Sequence, residues 1–126
     1  KHGKDVTLIS YSRMMTHCHK ACDQLLKEGI SVELIDLRSL KPLDLPAILQ
    51  SIQKTHRCVL VEEGHTYAGI CSELGFLIQE HALWSLDAPI QRVTQRETPM
   101  PYSKEMERNT LPTQERIIEA IKKTLA

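Results

Sequence analysis

The sequence predicts a three-layer α/β/α fold with a mainly parallel sheet of about four strands. Short apolar runs typical of buried strands alternate with segments whose apolar residues recur every three or four positions, as in amphipathic helices. This alternation requires crossover connections, which place helices on both faces of a parallel sheet. With 126 residues, 41% of them hydrophobic and 25% charged, the chain has the size and balance of a single globular domain, residues 1–126.

The four strands are predicted at about residues 6–10, 31–37, 57–61 and 90–94. A first helix follows strand one and ends at Gly29, where a left-handed residue is favoured, and a shorter helix follows the turn at 42–44. A third helix is predicted from Gly69 to about Trp84. A final helix should bury the residues Ile117, Ile118, Ile121 and Leu125. The Pro-Met-Pro stretch at 99–101 is expected to be extended.

Charge and composition exclude several classes of function. Sixteen basic residues balance sixteen acidic ones, so the chain has no general attraction for nucleic acid or an anionic membrane. No apolar run approaches the roughly 18 residues that a membrane span needs. We therefore expect neither a nucleic acid nor a membrane as partner.

Four cysteines, Cys18, Cys22, Cys58 and Cys71, are expected to be free and buried, because disulfide-stabilised small domains are far richer in cysteine. Free thiols indicate a reducing compartment, either a bacterial cytoplasm or an equivalent organelle matrix.

The residues that follow the first strand argue against nucleotide binding. Ligands of such sheets bind at the carboxyl ends of the strands, and a phosphate there needs glycines, but residues 10–14 contain none. Ser10 and Ser12 are instead predicted to cap the first helix. The His17-Cys18-His19 string lacks the second ligand cluster of a structural zinc site, so we expect no metal.

The end of the third strand is the strongest candidate for a functional site. Glu62 and Glu63 precede Gly64 and His65, a set that could serve acid–base or metal chemistry. The favoured interpretation is structural: one glutamate faces the N-terminus of the next helix, whose free amides attract an anion. A contact with a partner and a catalytic role remain as alternatives.

Seven strings in register carry a resemblance to a known family: GKDVTLI at 3–9, EGI at 28–30, IDLRSLKPLD at 35–44, VEEG at 61–64, DAP at 87–89, TPMPYS at 98–103, and the ending from LP at 111–112 to KK at 122–123. The first four resemble the C-terminal domain of transketolase-like, thiamine-diphosphate-dependent enzymes. The last three narrow the resemblance to the beta subunits of pyruvate dehydrogenases. It covers essentially the whole chain.

The resemblance implies a parent enzyme that decarboxylates pyruvate on thiamine diphosphate and magnesium and then acetylates a lipoyl group of an acetyltransferase core. It also implies that the cofactor lies between an alpha subunit and the beta subunit's preceding domain. No cofactor is then expected on this chain. The implied partners are the alpha subunit, a second beta subunit, and the basic subunit-binding domain of the core.

The same resemblance implies strand order 2-1-3-4 and an antiparallel strand upstream of Lys1, without which the edge beside the second strand would be unpaired. No catalytic, cofactor-binding or metal-binding residue is expected. The family fingerprint, given structural or interface roles, is Arg38, Pro42, Asp44, Glu62, Glu63, Gly64, Gly69, Glu73, Pro99, Pro101 and Tyr102. The residues expected to contact the core are Asp87, Glu97 and the terminal carboxylate of Ala126.

Two alternatives stay open at this stage. One is the beta-subunit domain of a branched-chain two-oxo-acid dehydrogenase. The other is a stand-alone regulatory or ligand-binding domain of flavodoxin-like topology.

Overall fold

The computed structural model describes all 126 residues as four strands and five α-helices. The strands are β1 (Val6–Ser10), β2 (Val32–Asp36), β3 (Cys58–His65) and β4 (Gln91–Gln95). The helices are α1 (Met14–Lys27), α2 (Leu45–Thr55), α3 (Ile70–Ala82), α4 (Lys104–Thr110) and α5 (Gln114–Leu125), and a 3-10 turn (Leu83–Ser85) follows α3. The predicted α/β class is confirmed.

The sheet is parallel throughout, with the strand order β2-β1-β3-β4 that the sequence resemblance implied. β1 is central, and its Leu8 aligns with Leu34 of β2 and with Val59 of β3. From β1 the chain connects to β2 on one side, and from β2 it crosses over to β3 on the other side of β1. The crevice in which such sheets bind ligands therefore lies between the carboxyl ends of β1 and β3.

Each face of the sheet has its own apolar core. α1 and α5 cover the face that contains Leu8, whereas α2 and α3 cover the face that contains Ile9, since successive strand residues point in opposite directions. Thr7 is buried on the second face, where its hydroxyl makes 2.7 Å hydrogen bonds with the hydroxyls of Ser51 and Thr55. All five residues of β1 are buried.

The outer edge of β2 is partly paired by the first residues of the chain, so the expectation of an unpaired edge is wrong there. Lys1 and Leu34 exchange two backbone hydrogen bonds, of 3.0 and 2.9 Å, in the manner of antiparallel neighbours. Gly3 lies so close to β2 that a Cβ on it would overlap the backbone of Val32. The absence of a side chain at this position permits the close approach.

Residues with strong local preferences mark the ends of two helices, and the one predicted from the sequence, Gly29, is confirmed. α1 is followed by Gly29 in the left-handed region, at φ 84°. The side chain of Asp44 caps α2 by accepting a 3.2 Å hydrogen bond from the amide of Ala47, and Pro46 lies in the first turn, where no amide donor is needed.

Two features differ from the prediction. β3 continues four residues past Val61, to His65. The strand does not end at its first charged residue, because Glu62 is buried and accepts hydrogen bonds from other residues of the protein. α4 was not predicted, because its sequence KEMERNT carries no apolar stripe. None of the helices has the length and apolar character needed to cross a membrane.

Candidate functional site

The crevice between β1 and β3 is filled by a side-chain pair of the protein itself. Glu62 is only 2% exposed, and Tyr11, the residue after β1, donates a 3.2 Å hydrogen bond from its hydroxyl to Glu62 Oε2. The hydrogen bond links the end of β1 to β3 across the position where a ligand would enter. The arrangement closes the crevice.

Glu62 also binds the N-terminus of α3. Its Oε2 accepts a 3.0 Å hydrogen bond from the amide of Ile70, and its Oε1 accepts a 3.2 Å bond from the amide of Cys71. A carboxylate at this place satisfies two amides that have no partner within the helix and complements the positive end of the helix dipole. The prediction that one glutamate faces this helix is confirmed, and that glutamate is Glu62.

The glycines of the connecting loop have different roles around this carboxylate. A Cβ on Gly69 would overlap Glu62 Oε1 and would lie 2.6 Å from the carbonyl oxygen of His65. A Cβ on Gly64 would lie at an ordinary 3.6 Å from Glu62 Oε2. Gly69 is therefore required by space, since its backbone angles (φ −79°, ψ 166°) suit any residue.

The electrostatics around Glu62 keep its neighbours uncharged. Burial, followed by the negative charge of Glu62, raises the pKa of Tyr11 to about 12. Burial and the same carboxylate also raise the pKa of the Cys71 thiol. Neither group is prepared to act as a nucleophile or base at neutral pH.

Glu63 and His65 point away from this buried network. Glu63 is half-buried and forms an ion pair with Arg13, whose Nε lies 3.2 Å from Glu63 Oε2. His65 is exposed and lines a groove of about 480 Å³ together with Tyr67 and Glu97. The four residues 62–65 are thus adjacent in sequence but do not form one cluster of functional groups.

The prediction that Ser10 and Ser12 cap α1 is wrong. Ser10 is buried as the last residue of β1, and its hydroxyl donates a 2.9 Å hydrogen bond to the carbonyl of Val61. The backbone carbonyl of Ser12, not its side chain, accepts the bond from Met15. α1 begins after Arg13 without a side-chain cap.

All four cysteines are free and buried, as predicted. No group of three or more His, Cys, Asp or Glu side chains is arranged to hold a metal ion.

The remaining fingerprint residues lie apart from Glu62. Arg38 pairs with Asp36 at the end of β2, Pro42 and Asp44 lie in the turn before α2, and Glu73 is exposed in the first turn of α3. The other three precede α4: Pro99 and Tyr102 are exposed and Pro101 is half-buried. The fingerprint is distributed over the domain and does not form one site.

The structure separates the three expected core-binding residues into two places. Arg57, at the start of β3, lies 3.7 Å from Asp87 and donates a 2.8 Å hydrogen bond to the carbonyl of Thr124 at the end of α5. Asp87 and the terminal residue Ala126 therefore share one corner. Glu97 lies beyond β4, at the opposite end of the sheet.

Two arginines with architectural roles were not identified from the sequence. Arg57 joins β3 to the end of α5, and Arg116 donates 2.8 and 3.2 Å hydrogen bonds to the carbonyls of Thr94 and Leu111. Arg116 thus covers a carbonyl on the outer side of β4. Arg57 is 67 positions from Thr124 and Arg116 is 22 positions from Thr94, so these two contacts have no local sequence signal.

Comparison with known proteins finds one matching family and several similar protein subunits. The family described as "Transketolase, C-terminal domain" matches residues 1–117. Pyruvate dehydrogenase E1 component subunit beta is similar at 45% identity in Caenorhabditis elegans and 43% in Arabidopsis thaliana (beta-1), each over 98% of this chain, and at 40% over 95% of it in Rhizobium meliloti. The chain spans 26–35% of the length of these relatives.

A solved structure titled "Split gene transketolase, inactive beta4 tetramer" superposes with a TM-score of 0.85 at 26% identity, over 99% of this chain and 39% of that one. A 2-oxoglutarate:ferredoxin oxidoreductase from Magnetococcus marinus shares the fold with a TM-score of 0.65 at 16% identity, over 100% of this chain and 18% of that one. The parallel order β2-β1-β3-β4 and the match over 117 of 126 residues agree: the chain belongs to the transketolase C-terminal domain family.

Proposed function

We propose that this chain is the C-terminal domain of the beta subunit of a pyruvate dehydrogenase E1 component, and that it serves assembly rather than chemistry. The observation that carries the proposal is the 40–45% identity to such subunits over 95–98% of the chain. The parent enzyme would decarboxylate pyruvate and acetylate a lipoyl group of the acetyltransferase core. Its compartment would be a mitochondrial matrix or a bacterial cytoplasm, which suits four free cysteines.

The residues at the carboxyl ends of the strands do not fit thiamine diphosphate. A diphosphate is usually held by free amides at a helix N-terminus, whereas here Glu62 already accepts from the amides of Ile70 and Cys71. Tyr11 closes the same crevice. This supports the proposal that thiamine diphosphate and magnesium are held by the alpha subunit and by another part of the beta subunit.

The role we assign to the domain is to bring subunits together. Its partners would be the alpha subunit, a second beta subunit and the basic subunit-binding domain of the core. The corner that Asp87 shares with the end of α5 is our candidate surface for the core. It presents the exposed carboxylate of Asp87, which would attract a basic domain.

The proposal is tested with the full beta subunit, co-purified with its alpha subunit. Turnover is followed by the pyruvate-dependent reduction of an artificial electron acceptor, with a branched-chain two-oxo acid as the control substrate. We expect turnover with pyruvate and at least about tenfold lower kcat/KM with the branched-chain acid. Absence of pyruvate turnover would contradict the proposed parent enzyme.

The absence of chemistry on this chain has its own test. Isothermal titration of the 126-residue chain with thiamine diphosphate and magnesium should give no binding heat. A micromolar Kd would show that the chain forms a cofactor site by itself and would overturn that part of the proposal.

A further inference from the structure

A groove of about 510 Å³ lies between the start of α1 and the segment that contains α4. Arg13 and His17 line the wall that α1 provides, and Lys104 and Arg108 line the wall that α4 provides. We call it the basic groove. It lies near the carboxyl end of the sheet, because α1 follows β1 and α4 follows β4.

The charges of the basic groove are not balanced. Lys104 and Arg108 belong to none of the ion pairs of the protein. Arg13 is held by Glu63 through Nε and Nη2, and its Nη1 makes no hydrogen bond. Glu107 is the only carboxylate that lines the groove. Three cations and one anion leave a net charge of two positive, in a chain whose total net charge is zero.

The basic side chains are arranged in two rows. On each wall the two residues are four positions apart on a helical backbone, so they lie one turn apart on the same side. His17 is half-buried in its row and adds a ring nitrogen to the polar lining. An anion between the rows would therefore meet hydrogen-bond donors on both sides.

The groove also has an apolar floor. Met14 is only 2% exposed, Pro112 is buried and Leu111 is half-buried, and all three line it. Its volume is within the roughly 300–1,000 Å³ of small-molecule sites, which combine apolar lining with a few polar groups. The size and the lining therefore suit a small anion that carries an apolar part.

We propose that the basic groove binds a small organic phosphate, with its phosphate group between the two rows and its apolar part on Met14 and Leu111. A phosphate monoester has a charge of about −1.5 to −2 at neutral pH and three strong acceptor oxygens. This charge matches the net charge of the groove. The guanidinium groups of Arg13 and Arg108 can each bind two phosphate oxygens.

This site goes beyond the assembly role proposed above. It lies at the opposite end of the sheet from Asp87, which precedes β4, so a ligand in the groove leaves that corner free. Thiamine diphosphate is not the ligand that we propose, because its phosphates would be bound together with magnesium, which neutralises much of their charge.

A bound phosphate should also hold α4 in place. α4 has seven residues, of which only Thr110 is buried, so little apolar packing fixes this helix. An anion that contacts both rows would join α4 to α1. We therefore expect the ligand to slow hydrogen exchange of the α4 amides while that of the β1 amides stays unchanged.

The test is a titration of the nitrogen-15-labelled chain with phenyl phosphate at constant ionic strength, followed by NMR. We expect saturable shifts, confined to amides near the start of α1 and in residues 104–113, with one common Kd below about 1 mM. Inorganic phosphate lacks the ring, and benzoate carries less charge. Each should therefore bind at least about threefold more weakly.

Variants separate the groove from general charge attraction. Lys104→Gln and Arg108→Gln should each raise the Kd for phenyl phosphate at least about threefold, and the double variant at least about tenfold. Lys20→Gln with Lys27→Gln is the matched control. It removes two exposed lysines of α1 that do not line the groove, and should change the Kd less than about twofold. The NMR spectrum of each variant shows whether it is folded.

Four outcomes overturn the inference. The first is shifts that grow linearly without saturation up to about 10 mM phenyl phosphate. The second is an equal loss of affinity in the two double variants. The third is inorganic phosphate binding as tightly as phenyl phosphate, which would mean that the apolar floor takes no part. The fourth is tighter binding of a tetraglutamate peptide, which would make the groove a docking surface for an acidic protein segment.

The proposed parent enzyme is judged separately, by pyruvate turnover of the full alpha–beta enzyme. Failure of phenyl phosphate to bind therefore leaves that proposal standing, and absence of pyruvate turnover leaves the basic groove to be judged by its own titration.

Discussion

Arg57 and Thr124 are joined by a 2.8 Å hydrogen bond from the guanidinium Nε to the backbone carbonyl, although 67 positions separate them in the sequence. The bond satisfies one of the last carbonyls of α5 and places a positive charge at the negative end of that helix. The same guanidinium faces Asp87. One side chain therefore connects the start of β3, the loop before β4 and the end of the chain.

Replacing Arg57 should destabilise the domain. We expect Arg57→Ala to lower the free energy of unfolding by about 1–2 kcal/mol, because a helix carbonyl loses a charged donor in a partly buried place. Urea unfolding measures the change. Arg38→Ala is the matched control: that side chain is 88% exposed and pairs with Asp36, so the loss should stay below about 0.5 kcal/mol. Equal effects of the two substitutions would contradict the assigned role.

The two expected docking carboxylates should differ in their effect on the core. In the full beta subunit, Asp87→Asn should weaken binding of the basic subunit-binding domain by about three- to tenfold and reduce the salt dependence of binding. Glu97→Gln should change it less than about twofold, because Glu97 lies at the other end of the sheet. Surface plasmon resonance at low and high salt distinguishes the two.

Glu62 and Gly69 are in close contact, so their contributions to the stability of the domain should be coupled. We expect Glu62→Gln to cost about 2–3 kcal/mol of unfolding free energy, because an amide cannot accept from both helix amides and from Tyr11 together. Gly69→Ala should cost at least about 2 kcal/mol through overlap with that side chain.

The controls are Glu63→Gln and Gly64→Ala, each expected within about 0.5 kcal/mol of the wild type. In the double variant Glu62→Ala with Gly69→Ala, the overlap with the Glu62 side chain is removed and only the close contact with the His65 carbonyl oxygen remains. The loss should therefore be smaller than the sum of the losses for Glu62→Ala and Gly69→Ala alone. Full additivity would mean that Gly69 is required for another reason.

Tyr11 should make the stability of the domain depend on pH in the alkaline range. Its pKa is raised from about 10 to about 12, so the unfolded chain loses the phenolic proton first. The stabilising effect is complete below pH 10 and is lost as the pH rises through 12, so wild-type stability falls in that window. The unfolding free energy of the Tyr11→Phe variant should change less with pH in that window. Parallel curves of unfolding free energy against pH for the two proteins would contradict this.

The sequence predicts this fold well because its strands carry strong local signals. Val6 to Ser10 forms a continuous buried run, and Gly29 and Asp44 mark helix ends with residues whose conformational or capping preferences are strong. The side-by-side order of the strands, by contrast, has no local sequence signal. The order β2-β1-β3-β4 could be predicted only from the family resemblance.

The site was predictable in part. Two adjacent glutamates before a helix indicated that one would meet its amides, but nothing local distinguishes Glu62 from Glu63. The choice is made by strand alternation, which turns Glu62 inward toward Tyr11 and α3. The assignment of Ser10 as a cap failed because its real partner, the carbonyl of Val61, is 51 positions away. Contacts of that range depend on the packed sheet.

The separation of the core into two layers has a consequence for the four cysteines. Cys18 and Cys22 lie on the buried side of α1, on one face of the sheet, whereas Cys58 and Cys71 lie in the core of the other face. Burial raises the pKa of all four thiols. An alkylating reagent can reach them only when the layer that covers them opens. Each face of the sheet thus has two thiols that report on its opening. The order in which the four thiols are modified reveals which face opens first.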